Sequence, residues 1–99
     1  MKLYLVHAGY YDTEIAEGIY EFHVNFLVAA TSFEEARLRA KARPDFQGKR
    51  MHVDGLVEIQ SVDGFEVTLS ENPALQGQSC LISNKHRDLA TKPATPSNS

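Results

Sequence analysis

The sequence has almost no cysteine and no long hydrophobic run. Cys80 is the only cysteine among 99 residues, so no disulfide can form within the chain. No apolar run is long enough to span a bilayer, and the N-terminal one is too short for a signal peptide. A glycine-rich phosphate loop and a nucleophile-elbow motif are also absent. These absences exclude a disulfide scaffold and a membrane-spanning helix, and they predict a cytoplasmic location.

The charge balance argues against nucleic acid as the partner of the whole molecule. Ten basic and thirteen acidic residues give a formal net charge of −3. Basic residues nevertheless gather after position 36, and only one aromatic residue, Phe46, lies among them, so they lack the aromatic interleaving that stacks on bases. They form either the solvated face of a helix or a patch that binds phosphate and other anions. The candidate anion-binding residues are Arg37, Lys41, Lys49 and Arg50.

The composition changes near residue 71. Residues 1–71 carry periodic apolar patterns, whereas residues 72–99 are polar and end in Pro, Ser, Thr and Asn. We therefore predict a single domain over 1–71 and a largely flexible C-terminal tail over 72–99. A core of about 70 residues typically supplies only about 3–5 kcal/mol. Because no disulfide adds to this, the sequence predicts a homodimer that buries more surface.

Two strands and one helix occupy the first half of the chain. Residues 2–8 are apolar on both faces, which is typical of a central strand, and residues 19–29 alternate with period two. Thr31 and Ser32 are both suitable N-caps for the helix that follows, and Pro44 stops it. The predicted buried stripe of this helix consists of Phe33, Ala36 and Ala40.

Two further strands are predicted over residues 51–62 and 65–69. Gly55 indicates a bulge or a close contact in the first of them. Simple alternation places Met51, Val53, Val57 and Ile59 on one face, and Leu56 on the other face among the polar residues. A three-residue loop over 62–64, with Gly64 in a left-handed bulge position, keeps the apolar residues of both strands on the same face.

The element order is therefore ββαββ, which indicates the α+β class. The first two strands pair antiparallel across a loop, and the helical crossover makes the second and third strands parallel. With the first strand central, the simplest arrangement is a mostly antiparallel four-stranded sheet of order 2-1-3-4. One helix packs on one face of this sheet.

This topology brings several ionisable residues to one end of the sheet. The late part of the first strand lies beside the early parts of the second and third strands. On the face away from the helix, the candidate ligand or metal residues are His7, Glu21, His23, His52 and Asp54. The inclusion of His7 depends on the register of the first two strands.

Four interpretations of these residues remain open. They can form the solvated face of an antiparallel sheet or a polar dimer interface. Imidazoles with a carboxylate are also suitable ligands for zinc or another divalent transition metal. An Asp beside a His is suited to acid–base catalysis. The leading hypothesis is a small dimeric interaction or binding module, and the alternative is a metal- or ligand-binding protein, possibly an enzyme. The sequence specifies no cofactor and no catalytic residue.

The assembled motifs resemble a known family. The segments LYLVHAGY, IYEFHVNFLVAATSFEEA and MHVDGLVEIQSVDGFEVTLS are similar to the small bacterial proteins grouped as domain of unknown function 1543. The similarity spans residues 1 to about 70. This resemblance implies one or two copies of the domain per chain and no assigned activity. Members tend to carry an Asp after the histidine of the second strand, where this sequence has Val24.

Overall fold

A computed structural model describes residues 1–84, apart from the side chain of Ala16. It contains a three-stranded sheet with one α-helix on one face, followed by a small hairpin. The elements are β1 (Lys2–Tyr11), β2 (Glu21–Ala30), α1 (Phe33–Lys41), β3 (Arg50–Glu58), β4 (Ser61–Val62) and β5 (Phe65–Glu66). Within residues 1–84, no helix has the length and apolar character needed to cross a membrane.

β1 is the central strand, as its apolar character on both faces predicts. β2 and β3 flank it, and both pair with it antiparallel. They consequently run parallel to each other, and α1 connects them. Tyr4, Val6 and Ala8 are buried on the face that α1 covers. The α+β class and the order of the first three strands are therefore confirmed.

The start of α1 is fixed by a network of capping hydrogen bonds. Ser32 is the N-cap, and its hydroxyl accepts a hydrogen bond from the Glu35 N–H at 3.1 Å. The Glu35 side chain in turn accepts two hydrogen bonds from Thr31. The Thr31 N–H and hydroxyl donate to its two carboxylate oxygens at 3.1 and 3.0 Å. Mainly because of these two hydrogen bonds from Thr31, the pKa of Glu35 lies below its ordinary value.

We expect the stability contributed by Glu35 to depend on pH. Because its folded-state pKa is lowered, this contribution is fully present above the ordinary value of 4.5 and is lost as the pH falls through the folded-state pKa. The free energy of unfolding of Glu35→Gln should thus fall below that of the wild type at pH 7, and the difference should shrink towards pH 3. Urea unfolding at several pH values measures it. Glu34→Gln, in the same helical turn, is the control, and a difference independent of pH would contradict the prediction.

Two alanines let α1 lie close against the sheet. Ala36 and Ala40 are both 0 % exposed, and Ala40 packs against Val6 and Ala8. Phe33 contributes less burial than the sequence predicts, since its side chain is half exposed and meets the Tyr4 ring edge-on. The buried face of α1 therefore consists mainly of small alanine side chains, which are packed closely against the sheet.

The predicted four-stranded order 2-1-3-4 is wrong, because the segment after β3 forms a separate hairpin and adds no fourth strand to the sheet. β4 and β5 pair only with each other, around a two-residue turn in which Asp63 and Gly64 both have positive φ. Such Asp-Gly turns match the twist of a two-stranded hairpin, and they replace the predicted three-residue loop. Phe65 is 76 % exposed, so its side chain does not anchor this hairpin in the core.

A bulge in β3 corrects the predicted faces of that strand. The register shifts between His7 and Ala8, so Asp54 has no direct partner on β1. After this extra residue, Leu56 packs against the core and Val57 lies opposite Leu5 on the other face. The bulge lies at Asp54, next to Gly55, where the sequence indicates a bulge or a close contact, whereas the placement of Val57 with the core residues is wrong.

The domain boundary at residue 71 stays a prediction. Residues 73–75 form a short 3₁₀ turn, Pro73–Leu75, in which the Asn72 side chain accepts a hydrogen bond from the Ala74 N–H. Residues 85–99, which complete the predicted tail, lie outside the described residues.

Candidate functional site

The face of the sheet away from α1, called the open face here, divides into two halves. Its apolar half centres on Leu5, which is paired with Leu27 on β2 and with Val57 on β3. Its polar half lies towards the end of β1. The strand registers thus separate apolar from ionisable side chains along the same three strands.

The polar half brings together all five candidate ligand residues predicted from the sequence. Gly9 is paired with His23 on one side and with His52 on the other, and His7 lies two residues earlier on the same face. The register therefore includes His7, which the sequence left open. The histidine–carboxylate cluster consists of His7, Glu21, His23, His52 and Asp54.

Gly9 provides the space at the centre of this cluster. A Cβ atom added at Gly9 would lie 2.7 Å from His52 Nε2 and 3.2 Å from Asp54 Oδ2. The first distance is shorter than atoms tolerate, so the His52 ring can lean over β1 only because residue 9 has no side chain. The His52 ring thus requires the absence of a side chain at residue 9. In the sequence, a glycine within an apolar strand indicates such a close approach.

We expect Gly9→Ala to disrupt the cluster while leaving the fold stable. The clashing atoms belong to the end of the His52 side chain, which can rotate away, so the free energy of unfolding should change by less than about 1 kcal/mol. The imidazole NMR signals of His52 should shift. Gly55→Ala is the matched control, since a Cβ there meets nothing within 4 Å. Unchanged His52 signals in Gly9→Ala would contradict this prediction.

The bulge aims Asp54 into the middle of the cluster. Its Oδ2 lies 3.5 Å from His23 Nδ1 and 3.9 Å from His7 Nε2. Its Oδ1 lies 3.0 Å from His52 Nε2. The two carboxylate oxygens therefore face histidines on opposite sides. The carboxylate is about one-third exposed, so the cluster is an accessible surface feature and not a buried network.

Glu21 lies beside two of these histidines, His23 and His52. Its Oε1 lies 2.8 Å from His23 Nε2, and its Oε2 lies 3.6 Å from His52 Nε2. The Tyr11 hydroxyl donates a hydrogen bond to Oε2 at 2.8 Å. This hydrogen bond and the negative charge of Glu21 raise the pKa of Tyr11 above its ordinary value, because both favour the neutral phenol.

His7 is oriented by Asn25. Its Nδ1 donates a hydrogen bond to Asn25 Oδ1 at 2.8 Å, which leaves Nε2 as the nitrogen that faces Asp54. The ring also stacks on His23, with centroids 5.3 Å apart and planes within 5° of parallel. Both rings therefore present an edge to the same carboxylate oxygen.

Sequence reasoning missed the roles of Gly9 and Tyr11. The predicted first strand covers residues 2–8 and leaves out both residues, whereas β1 continues to Tyr11. The available signal was the alternation of His7, Gly9 and Tyr11, which places all three on one face once the strand is extended.

The candidate anion-binding residues lie on two elements. Arg37 and Lys41 are exposed on α1, while Lys49 and Arg50 lie at the start of β3. Lys49 Nζ is 3.7 Å from Asp12 Oδ2, so its charge is partly compensated. The Arg50 guanidinium lies 5.1 Å from the centre of the Tyr11 ring, at the border of the cluster. Anion binding by these four residues stays a prediction.

Two clefts in residues 1–84 lie away from the cluster. One lies between residues 1–3 and the segments 58–61 and 66–67, and another lies between Met1, Ala29 and the segment 68–78. The histidine–carboxylate cluster is by contrast an open, polar surface. Such a surface suits an ion better than an apolar ligand, which needs an enclosed pocket.

A family profile described as Domain of Unknown Function (DUF1543) matches residues 18–69. The match spans more than half of the chain. The chain belongs to the DUF1543 family. Comparison with curated proteins and with solved structures gives no significant match. The part that matches the DUF1543 profile includes Glu21, His23, His52 and Asp54, while His7, Gly9 and Tyr11 lie before it.

Proposed function

We propose that this DUF1543 protein binds a divalent transition-metal ion between His7, His23 and Asp54. One nitrogen from each histidine and one carboxylate oxygen lie within 4.8 Å of one another. Two imidazoles with one carboxylate form a common ligand set for zinc and for non-haem iron. This grouping is the observation that carries the proposal.

The spacing of these atoms favours an ion over direct contact. The distances from Asp54 Oδ2 are 3.5 Å to His23 Nδ1 and 3.9 Å to His7 Nε2, both too long for a strong hydrogen bond. An ion with bonds of about 2.0–2.1 Å holds tetrahedral ligands roughly 3.3–3.5 Å apart. The two distances from Asp54 Oδ2 are therefore within about 0.6 Å of those in a tetrahedral ligand set.

The remaining nitrogens of both histidines face oxygen atoms. His7 Nδ1 donates to Asn25 Oδ1, and His23 Nε2 lies 2.8 Å from Glu21 Oε1. An oxygen behind each ring favours the tautomer whose lone pair points at the ion and makes the imidazole a stronger ligand. A merely solvated sheet face does not require this arrangement.

Three protein ligands leave further coordination positions for water or a substrate. A bound divalent ion lowers the pKa of such a water and polarises an oxygen of the substrate. The role of the protein side chains is to hold the ion in place and to keep its outer face accessible.

A zinc titration followed by histidine side-chain NMR tests the proposal. The full chain should carry Cys80→Ser, because Cys80 is an exposed thiol that can bind zinc itself. We expect the imidazole signals of His7 and His23 to shift together and to saturate near one equivalent. Asn25→Ala should weaken zinc binding by about 10- to 100-fold through the loss of the oxygen behind His7.

Two results would overturn the metal proposal. One is that the signals of His7 and His23 stay unchanged at one equivalent of zinc. The other is that they drift only at large excess, together with residues outside the cluster. Asn72→Ala is the control for Asn25→Ala, since Asn72 caps a short turn elsewhere and should leave zinc binding unchanged.

A second candidate function is self-association through the apolar half of the open face. Leu27 is 38 % exposed and Val57 is 57 % exposed, and both flank Leu5. The only large side chains that are fully buried in residues 1–84 are Tyr4 and Val6, so the core is small. An uncharged apolar patch is complementary to itself, which favours a second copy of this chain as its partner.

Leu27→Lys should abolish this self-association, because it places a charge in the apolar interface. Light scattering on the 11.0 kDa chain measures the mass across a concentration series. Leu38→Lys is the matched control, since Leu38 is 68 % exposed on α1, on the other side of the sheet. A wild-type protein that stays monomeric at high micromolar concentration would overturn the dimer. The cytoplasmic location and weak affinity for nucleic acid also stay predictions.

A further inference from the structure

We infer that the cluster holds a second divalent ion between Glu21, His52 and Asp54, so that Asp54 bridges a pair of metals. This inference rests on the proposed function. One atom from each of these three residues lies within 4.8 Å of the other two. The second ligand set shares only Asp54 with the first.

The two oxygens of Asp54 are already divided between the two sets. Oδ2 faces His7 and His23, whereas Oδ1 faces His52. A carboxylate that binds one ion through each oxygen is a common bridge in two-metal sites, where the ions lie about 3.5–4 Å apart. The β3 bulge produces this position, because it adds Asp54 to the open face between two regular positions.

His52 Nε2 provides the nitrogen of the second set. It lies 3.0 Å from Asp54 Oδ1 and 3.6 Å from Glu21 Oε2, so one ring nitrogen faces two carboxylates. A divalent ion at this point places a positive charge between the ring nitrogen and the two carboxylates. The missing side chain at Gly9 leaves the room above β1 that this nitrogen occupies.

Glu21 links the second ion to the first. Its Oε2 belongs to the second set, while its Oε1 lies behind His23, a ligand of the first ion. The hydrogen bond from the Tyr11 hydroxyl orients Oε2. The two carboxylates carry a charge of −2, which one divalent ion neutralises, so a filled pair has an excess positive charge. Such a pair favours an anionic oxygen ligand such as phosphate or carboxylate.

Metal stoichiometry tests the second ion separately from the first. Metal-free full chain with Cys80→Ser is equilibrated with manganese(II) and assayed for bound metal and by electron paramagnetic resonance. We expect two equivalents per chain and a signal from magnetically coupled ions. His52→Asn should bind one equivalent without coupling, and His52→Gln should do the same if the first variant folds poorly.

The outcomes distinguish the inference from the function on which it rests. One equivalent in the parent protein, unchanged by His52→Asn, overturns the second ion and leaves the first site standing. No bound metal overturns both. Two equivalents that persist in both His52 variants place the second ion elsewhere and overturn the inference. Glu21→Gln should lose the second ion and also weaken the first by about 10- to 100-fold, because Glu21 lies behind His23.

Discussion

Asp54→Asn is expected to abolish tight metal binding by the cluster. The substitution removes the only carboxylate common to both proposed ligand sets. Loss of a partner behind a ligand already costs about 10- to 100-fold in affinity, so loss of a shared ligand should cost at least about 100-fold. The asparagine oxygen keeps the shape but carries no negative charge. Calorimetric titration of the metal-free Cys80→Ser protein with zinc measures the change.

Asp45→Asn is the control for this substitution. Asp45 is an exposed aspartate that pairs with Arg43 at 3.0 Å, outside the cluster. Its loss removes the same charge from the protein and should leave zinc affinity unchanged within about twofold, because solvent and salt screen distant charges. Equal loss of affinity in both variants would show that the effect arises from net charge, and would contradict a specific role for Asp54.

Ala40→Leu should produce the largest loss of stability. Ala40 lies on α1, is 0 % exposed and packs against the buried residues Val6 and Ala8. A leucine adds three carbon atoms where no space remains, which typically costs about 1–3 kcal/mol. A domain of this size has only about 3–5 kcal/mol in total. We therefore expect a much lower urea midpoint, measured by circular dichroism.

Ala42→Leu is the matched control for Ala40→Leu. Ala42 follows the last turn of α1 as its C-cap and is exposed, so a leucine there meets solvent. Its free energy of unfolding should stay within about 0.5 kcal/mol of the wild type. Similar losses in both variants would mean that leucine disturbs the helix itself and not its packing against the sheet.

The helix and the central strands could be predicted because their signals are local. The Ser32 cap, the acids that follow it and the arrest near Pro44 depend on neighbours within one helical turn. The apolar character of β1 on both faces depends only on composition. The hairpin after residue 60 could not be predicted in the same way. Its Asp63-Gly64 turn followed local turn preference, while the prediction assumed that every apolar residue there must face a core.

The sequence by itself determined which residues could form a site: three histidines and two carboxylates on strands that alternate in and out. The predicted topology already placed Glu21, His23, His52 and Asp54 at one end of the sheet. Only the tertiary structure decided that His7 joins them and how the five side chains face one another. The pairing of Gly9 with His23 and His52 sets the register that brings in His7. The bulge at Asp54 points its carboxylate between the rings. The strand register and the bulge depend on the packing of three strands against α1, because apolar side chains from distant segments must all lie on the face that the helix covers. No single segment carries that information.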